Sequence, residues 1–365
     1  MKNNIIFFMP LIGGGGVEKN LSLIINYVSK KMNNVHLCTF LKKNKKKLNK
    51  NIKLITPDLK LSKNSGKIIQ YLFCAYALFK FLLKNKNSIV FSFQANIYCI
   101  ITCKILNIKI ISRSNASPIV WANNFIKKFL FKKIYKLSNL IVVNSKDFQK
   151  QMLKMLNLKT TYIYNPLNKN QIFEKSKIKI KENFFLGSKS LKIINVGRLT
   201  DQKDQITILK SINLIKNQIP LKVMIIGKGY KEKELLNYIK ENKLQKIVKI
   251  KNYTENPYSF IRKADLFILS SKYEGLPNVL LEAATLKKFI ISSNCSSGPS
   301  EILKGGKYGF LFQTSNYNNL AKKILLFQKM NIRKKIKITN SLYNSLERFN
   351  SKREIYREKL WKKIN

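Results

Sequence analysis

Acidic side chains are scarce in this 365-residue chain, where 18 Asp and Glu stand against 70 Lys and Arg for a net charge of +52. So large an excess asks for neutralisation by nucleic acid, an anionic membrane or small anions. Codon bias in an AT-rich genome favours the same Lys, together with the abundant Asn and Ile, so charge alone assigns no partner. Histidine is scarcer still, with His36 the single copy. One imidazole and no Asp-x-Asp pair leave few ligands for zinc or for a carboxylate-held divalent ion. Five cysteines without a CxxC spacing argue against a disulfide framework. Cys99 and Cys103, four apart in an apolar stretch, read as one buried helix face. No apolar run reaches the ~18 residues of a membrane-spanning helix, and the longest, Tyr71 to Phe79, is cut by Lys80. Ile5 to Ile12 imitates the core of a signal peptide, but it leads into four glycines and a helical pattern without a small-residue cleavage site. A buried first strand and its loop fit better. The chain reads as reduced, cytoplasmic, and without metal or cofactor.

What is present is ample apolar material, 45% of residues, enough for sizeable cores. The length suggests two domains. Short apolar runs alternate with longer amphipathic ones, the pattern of βα units around parallel sheets. Strands are predicted at Ile5–Met9, Val35–Phe40, Ser88–Phe93, Lys109–Ser112 and Leu140–Val143, then at Lys192–Val196, Leu221–Ile226, Ile247–Ile250, Leu266–Leu269 and Phe289–Ser292. Helical patterns lie between them, Trp121 to Leu137 among them. The predicted fold is α/β, two Rossmann-like αβα lobes with a ligand cleft facing the carboxyl ends of the strands. The boundaries are 1–168 for the first lobe, 169–190 for a polar linker, 191–335 for the second lobe, and 336–365 for basic helices that return to the first lobe.

Three loops carry candidate chemistry. Glu274-Gly275-Leu276-Pro277-Asn278-Val279-Leu280-Leu281-Glu282 follows a strand and opens a helix. Pro277 suits the first helical turn, where its missing N–H costs nothing. The amides of Asn278, Val279 and Leu280 would then point out of the helix as an anion site. If both were helical, Glu274 and Glu282 would lie about 12 Å apart at a rise of ~1.5 Å per residue. A glycosidase pair needs about 5–9.5 Å, so two carboxylates gripping different parts of one long ligand fit better. The second loop, Gly197-Arg198-Leu199-Thr200-Asp201-Gln202-Lys203, offers a forked guanidinium and a mobile ammonium for phosphate at a strand end. The third, Gly13, Gly14, Gly15 and Gly16, would let backbone amides approach an anion, or serve as a hinge. It has neither Walker nor GxGxxG spacing.

Together these loops resemble the retaining glycosyltransferases of family 4, which have the GT-B fold. The likeness is densest over residues 255–312: Asn256-Pro257-Tyr258, Ala264-Asp265-Leu266-Phe267, Glu274 to Glu282-Ala283, Ser297-Gly298-Pro299, Glu301-Ile302-Leu303 and Gly309. Upstream, Gly197-Arg198-Leu199, Gln202-Lys203 and Gly227-x-Gly229 match, as do Val143-Asn144-Ser145 and Asn165-Pro166. The resemblance implies transfer of a hexose or N-acetylhexosamine from a nucleotide diphosphate sugar, a UDP-sugar by preference, with retained configuration and no divalent metal. By position, Arg198 and Lys203 would bind the donor diphosphate, Glu274 with the Gly275–Asn278 backbone the donor sugar, and Glu282 the ribose. Gly13–Gly16 would close over the diphosphate. Tyr253, beside Asn252 where a Gly is common, falls near the expected base pocket. The family's first-lobe His has no counterpart here, and Arg113 to Pro118 takes that place, with Arg113 and Asn115 as acceptor-side candidates.

Trp121 to Leu137 sets Lys128, Lys132 and Lys136 on one helical face and Ile126, Leu130, Ile134 and Leu137 on another. That pattern suits a helix lying on an anionic leaflet or a core helix with a solvated lysine face. Tyr71 to Leu83 is apolar enough to read as core. The expectation is a peripheral enzyme on the inner face of the cell membrane, building a bacterial surface glycan or lipid-linked oligosaccharide on a glycan or lipid-linked acceptor. Two alternatives are a nucleotide-sugar epimerase of the same fold and a basic nucleic-acid-binding protein. No helix-turn-helix, zinc-finger or RNA-recognition signature supports the last, so nucleic acid is not expected as a partner.

Overall fold

The computed structural model describes residues 4–13, 15–40, 48–57, 66–115, 117–121, 124–185 and 189–350. The chain divides into two compact units after Pro166. The first runs β1 (Asn4–Phe8), α1 (Gly16–Ser29), β2 (Val35–Cys38), β3 (Lys53–Ile55), α2 (Lys67–Lys84), β4 (Ser88–Ser92), α3 (Asn96–Ile105), β5 (Lys109–Ser114), α4 (Pro118–Trp121), α5 (Phe125–Lys136), β6 (Leu140–Val143), α6 (Lys146–Leu156) and β7 (Thr161–Tyr162). Its strands form a parallel sheet in the order β3-β2-β1-β4-β5-β6-β7. Both faces of that sheet are covered, which is why the strands are apolar runs rather than alternating ones. In β1, Ile5 and Phe7 face the helix α1, with Leu21, Ile24 and Val28. Ile6 and Phe8 face the opposite layer, where α2, α3 and α6 contribute Leu78, Ile100 and Phe148.

The second unit runs α7 (Lys169–Ser176), β8 (Leu191–Val196), α8 (Gln205–Ile215), β9 (Leu221–Ile226), α9 (Glu232–Glu241), β10 (Val248–Lys251), α10 (Tyr258–Lys263), β11 (Leu266–Leu269), α11 (Asn278–Thr285), β12 (Phe289–Ser293), α12 (Pro299–Ile302), β13 (Phe310–Phe312), α13 (Tyr317–Lys329) and α14 (Ile332–Ser345). Its parallel sheet has the order β10-β9-β8-β11-β12-β13. The sheet direction of travel reverses between β8 and β11, so the loops leaving those two strands diverge and leave a crevice at their carboxyl ends.

Three expectations change. The stretch drawn as a polar linker starts with a helix: the Asn168 side chain caps α7 by accepting from the Gln171 amide at 3.0 Å, and buried Ile172 helps seat it. α7 packs on α10 and α11, inside the second unit. The basic tail also belongs there as far as residue 350. α14 packs on α11 and β12, and Arg348 Nη2 donates to the carbonyls of Glu301 and Ile302 at 2.8 and 3.2 Å. Residues 351–365, expected to return to the first lobe, lie outside the described residues. The helix expected from Trp121 is two, because Asn124 acts as an N-cap, accepting from the Lys127 amide at 2.8 Å. All five cysteines are buried free thiols, and no described helix is long and apolar enough to cross a membrane.

Candidate active site

The loops after β8 and β11 carry the two groups of candidate residues, and the switch point sets those loops side by side. Three hydrogen bonds stitch them together. The Lys272 amide donates to the Gln202 carbonyl at 2.8 Å, Gln202 Nε2 to the Tyr273 carbonyl at 3.1 Å, and Ser270 Oγ to the Lys203 carbonyl at 2.7 Å. On this frame the Lys203 ammonium forms an ion pair with Glu274 Oε1, and Ser271 Oγ donates to the same oxygen at 2.7 Å. Both charged side chains are largely buried, so the pair is held in a poorly screened setting. Arg198 sits on the same loop with its Nη2 on Gln202 Oε1 at 3.1 Å. Gln205 Nε2 donates to the Arg198 carbonyl at 3.0 Å and so fixes the start of the loop. Tyr230 pins the outer side, donating to Asp201 Oδ2 at 2.7 Å, and Lys231 reaches Asp201 Oδ1 at 3.0 Å. These contacts hold the Asp201 carboxyl below its usual range, the Tyr230 hydrogen bond contributing most.

Glu274 leads through Gly275 and Leu276 to Pro277 and α11. Pro277 is the N-cap of that helix rather than its first residue, and the Leu280 amide, expected to point outward, donates to the Pro277 carbonyl at 3.1 Å. The first turn is therefore tighter than the sequence suggested. Ser297 Oγ donates to the Glu274 carbonyl at 2.6 Å. Next to it Gly298 adopts φ +87°, and a Cβ there would stand 2.2 Å from the Gly275 carbonyl oxygen. Ser297-Gly298 thus presses the Glu274–Pro277 turn into place. Glu282, eight residues on, is buried in α11 and accepts from the Tyr258 hydroxyl at 3.2 Å. Cys295 lies near this cluster, and burial followed by the charge of Glu274 pushes its thiol up to about 12, which keeps it protonated.

Gly227 and Gly229 permit a close backbone approach. A Cβ on Gly227 would fall 1.8 Å from the Gly197 carbonyl oxygen, and one on Gly229 2.1 Å from that of Leu199. They let the loop after β9 run backbone against backbone with the loop of Arg198. Tyr253 is half exposed beyond the carboxyl end of β10. In the first unit, Gly13 and Gly15 follow β1, and Gly16 starts α1, while Gly14 lies outside the described residues. The amides of Gly13 and Gly15 donate to the Glu18 carboxylate at 2.6 and 2.9 Å, so a side chain of the protein takes the place expected for a ligand anion. Arg113 is buried, its Nη2 bonded to the Ile163 carbonyl and Asn165 Oδ1 at 3.1 and 3.0 Å. Asn115 Nδ2 donates to the Phe93 carbonyl at 3.0 Å. Both are fixed within the unit's own loops. Among the described residues no group of three or more His, Cys, Asp and Glu is placed to hold a metal ion.

The serines at the strand ends, Ser270, Ser271 and Ser293, were not among the sequence candidates. Ser293 Oγ donates to the Ser271 carbonyl at 2.6 Å, completing a hydroxyl scaffold beneath Glu274. Their signal was a pair of serines directly after an apolar strand, the position that faces the crevice in a parallel sheet.

Two parallel αβα units, the second with a basic and acidic cluster at its switch point, have the architecture of the GT-B fold. Residues 176–341 match the family model of the glycosyl transferases group 1. It is 29% identical over 246 residues to an uncharacterised glycosyltransferase of Methanocaldococcus jannaschii, a stretch covering 62% of this chain and 61% of that protein. It is 28% identical over 203 residues to an N-acetylgalactosaminyltransferase of Campylobacter jejuni whose name gives a sugar-linked diphospho-undecaprenol as acceptor, covering 54% of this chain and 53% of that one. The chain thus spans about half to three-fifths of the length of these curated relatives. Among solved structures, Anabaena HepE in complex with UDP-glucose superposes with a TM-score of 0.77 over 95% of each chain at 18% identity, a likeness of fold.

Proposed function

We propose that the chain is a retaining glycosyltransferase of bacterial glycan biosynthesis. It moves a hexose or N-acetylhexosamine from a nucleotide diphosphate sugar, a UDP-sugar by preference, to a glycan or lipid-linked acceptor at the inner face of a cell membrane, without a divalent ion. The second unit serves the donor and the first the acceptor. The observation that carries this reading is the meeting of Arg198, Lys203 and Glu274 beside the start of α11 at the switch point. The UDP-glucose complex of HepE and the lipid-linked acceptor of the Campylobacter relative support the choice of donor and acceptor.

In this reading the C1–O bond to the donor diphosphate breaks and the bond from the acceptor oxygen forms on the same face of the sugar. The acceptor proton passes to an oxygen of the departing phosphate, so no protein base is required. Negative charge grows on the leaving nucleoside diphosphate. Arg198 and Lys203 stabilise it, preorganised by Gln202, Ser270 and Glu274, and such preorganised charge is commonly the largest contribution to catalysis. Glu274 and the Gly275–Asn278 backbone hold sugar hydroxyls, and Glu282 holds the ribose. A thermal-shift screen of UDP, GDP, ADP and their sugars tests the assignment. A ligand at 100 times its Kd adds about 2.7 kcal/mol to the folded state, so the matching nucleotide raises Tm by several degrees. No shift with any nucleotide overturns the reading, and release of free sugar or an epimer without acceptor would mark an epimerase instead.

A further inference from the structure

We infer that the outer surface of the α2–α3–α5 layer is one continuous docking face for an anionic bilayer, wider than the α5 helix alone. This deepens the membrane part of the proposed function and rests on it. The three helices lie side by side, α2 on α3 and α3 on α5. Each gives its inner residues to the same core: Cys74 and Leu78 from α2, Cys99 and Cys103 from α3, Tyr135 from α5. Tyr71 and Tyr98, ring centroids 5.9 Å apart, close the seam between the first two.

Outward, the same helices remain apolar. On α2, Ile68, Leu72 and Tyr76 recur every fourth residue and are exposed, so the segment read as pure core is core on one side only. Ile101 and Ile105 continue the surface on α3, and Phe125, Ile126, Phe129 and Leu130 on α5. The exposures are large: 63% for Ile68, 69% for Ile105 and 82% for Phe125. Apolar side chains left in water are unfavourable, so a surface that exposes a row of them is built to be covered.

Charge selects what covers it. The three helices contain no Asp or Glu, whereas Lys67, Lys80, Lys84 and Lys104 join the five lysines of α5. Residues 1–166 hold only three acidic side chains, Glu18, Asp58 and Asp147, and Glu18 and Asp147 belong to α1 and α6. Two ammonium groups lie against the exposed rings, Lys80 over Tyr76 at 4.9 Å and Lys133 over Phe129 at 4.4 Å. Aliphatic and aromatic side chains interleaved with lysine, whose apolar stem can lie along them, match the depth profile of a headgroup region. Branched aliphatic residues offer no stacking surface to a nucleic acid. A second copy of the chain would set lysines against lysines.

The test uses the full chain and sedimenting vesicles of phosphatidylcholine, with or without about one-third phosphatidylglycerol. Two double variants probe the face, Leu72→Asp with Ile105→Asp on α2 and α3, and Phe125→Ser with Phe129→Ser on α5. The wild type should partition onto the anionic vesicles at least tenfold more strongly than onto the neutral ones. Each double variant should weaken that partition about tenfold or more, while keeping the wild-type circular dichroism melt and its UDP-induced rise in Tm. If only the α5 variant loses binding, the wide face is wrong and the membrane reading stands. If the wild type binds neither vesicle, the membrane reading itself falls, and the UDP shift still reports on the donor assignment. A vesicle-free dimer abolished by these variants, or RNA retardation abolished by them, also overturns the proposal.

Discussion

The Lys203 ammonium rests on the Glu274 carboxylate, which Ser271 Oγ also contacts at 2.7 Å, so one oxygen, Oε1, joins two loops 71 positions apart in sequence. The pair has two separable roles. As structure, it neutralises a carboxylate that is largely buried. As chemistry, it holds an ammonium where a leaving phosphate would gather charge. Lys203→Ala should therefore lower unfolding free energy by about 1–3 kcal/mol, the cost of a buried charge left short of a partner. It should also reduce kcat about a hundredfold or more. The double variant Lys203→Met with Glu274→Gln should recover most of the stability and none of the turnover. Urea titration and initial rates with a UDP-sugar separate the two, and recovery of turnover in the double variant would remove Lys203 from the chemistry.

Glu282 offers a contrasting case: it is buried in α11 and accepts from the Tyr258 hydroxyl at 3.2 Å. Its proposed task is to hold two ribose hydroxyls in ground state and transition state alike, which is uniform binding. Glu282→Ala should then raise the Kd for UDP about tenfold or more with little loss of kcat at saturating donor, whereas Tyr258→Phe should have a milder effect of the same sign. Isothermal titration with UDP measures both. An unchanged Kd in Glu282→Ala would separate this carboxylate from the nucleotide.

Much of this was legible in the sequence. Buried parallel strands are apolar on both faces, so Ile5 to Phe8 of β1, β6 and β11 stood out as uninterrupted runs, and the loops after them followed. Short elements did not. β3 and β13, three residues each, lack enough apolar length to announce themselves, and both sit at sheet edges. α7 hid in a lysine-rich stretch because its one strong anchor, Ile172, gives no periodicity. At the site, charged residues at strand ends were visible. The role of Gly298 was not, because a left-handed residue pressed on a loop from another part of the chain is a tertiary fact. The part played by Glu18 was hidden for a related reason: a run of glycine amides reads as a ligand site until the helix is seen to cap itself, Glu18 reaching back to Gly15 as in a capping box.

His36, the single histidine, provides a clean pH probe in the first unit. It packs against Phe81 with centroids 4.8 Å apart and the rings tilted by 56°, and pairs in register with Lys53 on β3. Burial first, and then the Lys53 charge, lower its pKa from the ordinary 6.5. The folded state therefore binds a proton less readily than the unfolded chain. The stability linked to His36 is complete above pH of about 6.5 and is lost as pH falls from there towards the folded pKa. The ring C2 proton should titrate below 6.5 by NMR, and unfolding free energy should decline over that window in the wild type but not in His36→Gln. A midpoint at or above 6.5 would contradict the buried, neutral ring.

The turn that carries Glu274 depends on Gly298 in a way that a pair of alanine substitutions can isolate. Gly298 and Gly305 both have positive φ, +87° and +66°, so alanine at either suffers the left-handed penalty of about 1–2 kcal/mol. Only at Gly298 does the added methyl also meet backbone, 2.2 Å from the Gly275 carbonyl oxygen and 2.7 Å from Pro277 Cδ, whereas at Gly305 nothing lies within 4 Å. A carbonyl cannot swing aside as a flexible side chain does, so the Glu274–Pro277 turn has to shift. Gly305→Ala should cost about 1–2 kcal/mol and leave donor affinity intact. Gly298→Ala should cost about 2–5 kcal/mol. It should also weaken donor binding, because the residues that shift are those proposed to hold the sugar. Calorimetric melting with and without a UDP-sugar distinguishes the two, and equal effects at both positions would mean that the close contact with Gly275 does not shape the site.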